Sequence, residues 1–61
     1  MTKLLTPEET ANFLNISVKL LNEWRYNQKV NIPYVKLGRL IRYRLVDLEE
    51  LLAQNLIQQV I

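Results

Sequence analysis

Thr6-Pro7-Glu8-Glu9-Thr10-Ala11-Asn12-Phe13-Leu14-Asn15-Ile16-Ser17-Val18-Lys19-Leu20-Leu21-Asn22-Glu23-Trp24 decides the fold. It opens as a helix start. Thr6 fits the N-cap, Pro7 fits the first helical position, where a missing N–H costs nothing, and Glu9 stands where a capping box closes and the helix dipole favours an acid. The spacing predicts a helix from 7 to about 14, with Ala11 and Leu14 facing inward and Thr10 and Phe13 at the margins. Asn15 tolerates the left-handed conformation of a helix end. Ser17 is the next N-cap candidate, and Leu20, Leu21 and Trp24 form one apolar stripe on a second helix running to about 27. Two short helices joined by about three residues cannot run antiparallel for any length, so they cross steeply, as in a helix-turn-helix. Val18, Lys19, Asn22, Glu23 and Tyr26 remain for the outer face of the second helix.

Downstream, Asn27 to Pro33 has turn chemistry and no period, and reads as a loop. Tyr34-Val35-Lys36-Leu37-Gly38-Arg39-Leu40-Ile41-Arg42-Tyr43-Arg44 then reads as a β-hairpin with the chain's one Gly at its bend. A two-residue loop at Gly38-Arg39 pairs Leu37 with Leu40 and puts Arg42 on the face of Val35. A three-residue loop pairs Leu37 with Ile41 and Val35 with Tyr43, leaving Lys36, Arg42 and Arg44 on the other face. The second register separates polar from apolar and is the one expected. A last helix starts near Val46-Asp47, with Asp47 as cap or first-turn anion and Leu48, Leu51, Leu52, Leu56 and Val60 at helical spacing.

The whole chain has 61 residues, 49% of them hydrophobic, with two Pro, no Cys and no His. One small domain is all that fits. At this size only about 60% of the unfolded surface can be buried, which leaves little to wall off a substrate pocket. Without imidazole or thiolate there is no usual base, nucleophile or zinc ligand set, so neither an enzyme nor a metal or other cofactor is expected. Apolar runs of four residues or fewer are far short of a membrane span, and no signal peptide appears. A cytoplasmic setting is the expectation that fits a chain without disulfides.

Net charge is +2, from 8 basic and 6 acidic residues, and its distribution says more. Lys29, Lys36, Arg39, Arg42 and Arg44 follow one another with no acid between them. Such a block is either a solvated face or a strip for phosphates.

In order and spacing, Leu4-Leu5-Thr6-Pro7-Glu8-Glu9, Ser17 to Trp24-Arg25, Pro33-Tyr34-Val35-Lys36-Leu37-Gly38, Ile41-Arg42-Tyr43-Arg44 and Asp47-Leu48 resemble the excisionase-like winged helix-turn-helix family. That family is related to the mercury-resistance-regulator type of DNA-binding domain. The likeness covers roughly residues 4 to 53. Asn15, Gln28 and Val30 stand where the family usually has Gly, and Leu40 occupies a wing tip that is more often basic or small.

The resemblance implies a small α+β winged helix-turn-helix: two short helices, a β-hairpin wing and a C-terminal helix. Residues 1–53 would form the domain and residues 54–61 an apolar helical extension. It implies duplex DNA as the partner, bound through Ser17, Lys19, Asn22, Glu23, Arg25 and Tyr26 of the second helix in the major groove. Lys36, Arg39, Arg42 and Arg44 would serve the wing along phosphates or in the minor groove. Glu23 would tune specificity by accepting from a cytosine or pairing with Lys19. Trp24 belongs to the core.

Two roles are implied and remain open: an excisionase that bends attachment-site DNA and steers an integrase, or a small transcriptional regulator of a mobile element. A third reading makes the fold a protein-interaction adaptor. Its argument is the uncharged apolar segment after Ala53, where Leu56, Ile57, Val60 and Ile61 could hold an integrase or a second copy on DNA.

Overall fold

The computed structural model describes residues 3–57. In chain order they form β1 (Leu4–Leu5), α1 (Pro7–Leu14), α2 (Val18–Asn27), β2 (Val35–Leu37), β3 (Leu40–Arg44) and α3 (Leu45–Gln54). This is the small α+β winged helix-turn-helix expected from the sequence, with one strand more.

Both N-caps form as their residue types dictate. The Glu9 amide donates to Thr6 Oγ1 at 3.1 Å and the Thr6 amide to Glu9 Oε1 at 2.9 Å, a closed capping box. The Leu20 amide donates to Ser17 Oγ at 3.0 Å. The helices end on left-handed residues, Asn15 with φ 59° and Gln28 with φ 56°. Three residues, Asn15 to Ser17, separate α1 from α2.

The sheet is antiparallel in the order β1-β3-β2. Sequence periodicity does not reveal β1, because two residues are too few to carry a period. It pairs Leu4 with Arg44 and Leu5 with Tyr43. Arg44 then passes directly into α3, where the Leu45 amide donates to the Lys3 carbonyl at 2.9 Å. Arg44 occupies the cap position without a side-chain cap, and Asp47 is the first-turn acid.

The hairpin corrects the expected register. Val35 pairs with Arg42, Lys36 with Ile41 and Leu37 with Leu40, so the loop has two residues, Gly38 and Arg39. Gly38 has φ +61° and Arg39 does not share the positive sign, the pattern of a II′ turn, whose twist suits a two-residue hairpin. Separation of faces cannot set register here, because Leu37 and Leu40 at the tip are both 54% exposed, so burial favours neither register strongly. Near the body, Tyr43 is drawn inward opposite Leu5 and is 1% exposed.

The core is Leu5, Ala11, Leu21, Ile32, Tyr43 and Leu48, with Leu14, Ile16, Val18, Trp24 and Leu51 packed around it. Thr10, expected at a margin, is fully buried instead. Its Oγ1 donates to the Thr6 carbonyl at 2.8 Å, which satisfies the hydroxyl and removes the cost of burying it. Ile32 anchors the loop between α2 and β2.

The expected extension of α3 ends early. The helix stops at Gln54, and Leu56 and Ile57 lie beyond it, exposed. Asn55 supplies the stop: its Nδ2 donates to the Leu51 carbonyl at 2.8 Å, and its backbone amide bonds carbonyls of the same turn. Val60 and Ile61, expected to continue the stripe, lie outside the described residues.

Candidate nucleic-acid interface

The start of α1, one side of α2 and the hairpin enclose one concave surface. Thr6, Pro7 and Glu8 line it from α1, Val18, Asn22 and Arg25 from α2, and Arg39, Leu40, Ile41 and Arg42 from the hairpin. Three links hold these elements together. The three-residue turn fixes α2 against α1, the pairing of Leu5 with Tyr43 ties the start of α1 to β3, and the two-residue loop carries Arg39 at the hairpin's end.

Of the residues proposed from sequence, the structure brings Asn22, Arg25, Arg39 and Arg42 to this surface. Lys19, Glu23 and Tyr26 stand exposed on α2, and Ser17 is committed to capping it. Lys36 pairs with Ile41 and so lies on the sheet face opposite Arg42. Arg44 is engaged elsewhere: its Nε and Nη2 donate to both carboxylate oxygens of Asp47 at 2.6 and 2.7 Å. That pairing holds the guanidinium even more firmly protonated than arginine ordinarily is. The start of α1, Val18, Leu40 and Ile41 are not among the residues proposed from sequence. The β1–β3 pairing helps place α1 beside the wing, and two residues of strand leave no signal for it.

Among the described residues, Arg44–Asp47 is the one ion pair, so Lys19, Arg39 and Arg42 carry charges without a partner acid. Arg42 is steadied by donating from Nη1 to the Ile41 carbonyl at 2.7 Å. Arg25 is held from several sides. Its guanidinium lies 4.9 Å from the centre of the Tyr26 ring, Nη2 donates to Asn22 Oδ1 at 3.4 Å, and Nε is buried without a partner. Tyr43 lies beside it. Burial pushes the Tyr43 phenol above its ordinary range, while the neighbouring Arg25 pulls the other way.

Two helices joined by a tight turn, a hairpin beside the second, and unpaired arginines on the surface between them define a winged helix-turn-helix protein. A model of the helix-turn-helix domain family matches residues 4–56. The chain therefore belongs to that family, which includes excisionase-like members, supports a DNA-binding function and is not enzymatic in general. No curated protein and no solved structure matches the chain. Among the described residues no helix is long and apolar enough to cross a membrane.

Proposed function

We propose that the chain binds specific duplex DNA, with the outer face of α2 in the major groove and the hairpin as a wing on the flanking phosphates, and that it serves a mobile element. There it acts as an excisionase that redirects an integrase, or as a small regulator at a promoter. The observation that carries this is the shared surface on which Asn22 and Arg25 of α2 meet Arg39 and Arg42 of the hairpin. Asn22 can read base edges, and Arg39 and Arg42 can track phosphates. Membership of the helix-turn-helix family supports the DNA partner, and the excisionase-like residues support the mobile-element role.

The test is a footprint on the DNA flanking the chain's own gene. Protection at an attachment site, with altered integrase direction, identifies an excisionase; protection at a promoter identifies a regulator. A second reading, a protein-interaction adaptor, draws on the exposed Leu52, Leu56 and Ile57. Salt decides between DNA and adaptor. Neutralising about five phosphates gives a slope of log K against log salt near −4 to −5, whereas an adaptor shows no duplex affinity to titrate.

A further inference from the structure

Arg25 and Asn22 are one helical turn apart, and their contact has a chemical consequence. A guanidinium carries donors only, so the Asn22 atom facing Arg25 Nη2 at 3.4 Å must be the carbonyl oxygen. Arg25 does not swing freely: it lies over the Tyr26 ring, beside Tyr43, with its Nε buried. Asn22 thus lines the concave surface with its carbonyl turned to Arg25 and its amino group, on the other arm of the amide, pointing away from Arg25.

We propose that this pair sets the base preference of α2: Arg25 holds the Asn22 carbonyl, and Asn22, left as a donor, selects guanine over adenine. The proposal rests on α2 entering the major groove. A free asparagine suits adenine, accepting from N6 and donating to N7. Arg25 does not use up the carbonyl, which has two lone pairs, but fixes its direction: with the carbonyl turned to Arg25, the amino group faces the base, where it donates to N7 and brings an N–H against the N6 amine. Guanine presents two adjacent acceptors there, N7 and O6, and both suit an amino group. Arg25 acts here as a positioning residue, by fixing the orientation of the Asn22 amide rather than by touching the base.

The experiment is a binding selection from random duplexes with the full chain, beside Arg25→Met and Asn22→Asp. Arg25→Met keeps an unbranched apolar stem and removes the donors. Asn22→Asp keeps the acceptor for Arg25 and removes the amino group, so it tests the same idea with the Arg25 environment intact. The expected result is a guanine in the wild-type site whose change to adenine lowers affinity about tenfold. Arg25→Met then selects adenine at that position, and Asn22→Asp loses the guanine.

Wild-type preference for adenine there, or a site indifferent to Asn22→Asp, overturns the proposal and leaves DNA binding standing. A guanine that Arg25→Met retains, or loses without gaining adenine, overturns it too, the latter because Arg25 would then be reading the base itself. No duplex bound at all overturns the proposed function, and this inference with it.

Discussion

Asp47 receives both forks of Arg44 at 2.6 and 2.7 Å, so the last arginine of the hairpin strand is spent on the helix that follows it. The pair spans the junction where β3 becomes α3 without a loop. It also places an acid in the first turn of a helix whose cap residue makes no side-chain bond.

Arg44 is accordingly expected to contribute little to phosphate binding. Arg39→Ala and Arg42→Ala should each weaken binding to all duplexes alike and lower the salt slope by about one unit, while Arg44→Ala leaves the slope unchanged. Asp47→Asn loosens the pair and should steepen the slope by up to about one unit. Fluorescence anisotropy on one duplex across a salt series measures all four. Equal slopes for Arg44→Ala and Arg42→Ala would return Arg44 to the interface.

The core makes a sharper claim. Leu48 is 0% exposed and Leu52, one turn on, is 48% exposed. Leu48→Ala is expected to cost about 2–5 kcal/mol, against roughly 3–9 kcal/mol for the whole stability of a domain this size. Leu52→Ala should cost about 1 kcal/mol or less. Urea denaturation followed by Trp24 fluorescence distinguishes them, and equal losses would contradict the packing described.

What the sequence reveals and what it hides divide by range. Thr6, Glu9, Asn15 and Ser17 act on partners three or four residues away, so both helix starts and the turn between them were readable one residue at a time. Register is different in kind. It depends on what lies behind each strand, and at the wing tip, where Leu37 and Leu40 face solvent together, little does. The third strand is invisible for a related reason, since Leu5 becomes a strand residue only because Tyr43 passes beside it. The expected register puts Lys36 on the face of Arg42, whereas Arg44 shares that face by strand alternation in either register and is drawn off by Asp47. The stripe through Leu52 and Leu56 suggested more helix than forms, because spacing does not register the amide of Asn55 turning back on the carbonyl of Leu51.

Acid should loosen the first helix through one side chain. The backbone amide of Thr6, with its hydroxyl next, holds the Glu9 carboxyl below the ordinary glutamate range. A carboxyl depressed on folding adds stability that is present above its unfolded value and lost as pH falls through the lower folded value. Glu9→Gln keeps an acceptor for Thr6 but no charge. Wild type should therefore melt above Glu9→Gln near neutral pH, and the gap should close as pH drops below the glutamate range. A gap that persists in acid would assign the benefit to geometry instead of charge.

Gln28 offers the opposite opportunity, a residue whose replacement should improve the fold. It closes α2 in the left-handed region at φ 56°, with its amide donating to the Trp24 carbonyl at 2.7 Å. A side chain in that region crowds its own carbonyl, a cost of about 1–2 kcal/mol that glycine avoids. Glycine in turn loses more freedom on folding, which takes back about 0.5–1 kcal/mol. The difference predicts that Gln28→Gly stabilises the chain by about 0.5–1 kcal/mol. Asn15 stands in the same region at φ 59°, but its short polar side chain adopts it more readily, so Asn15→Gly should gain less. Both are measured by the shift of the urea midpoint at constant slope. A loss of stability in Gln28→Gly would mean that the glutamine side chain makes a contribution at the end of α2 that outweighs its backbone strain.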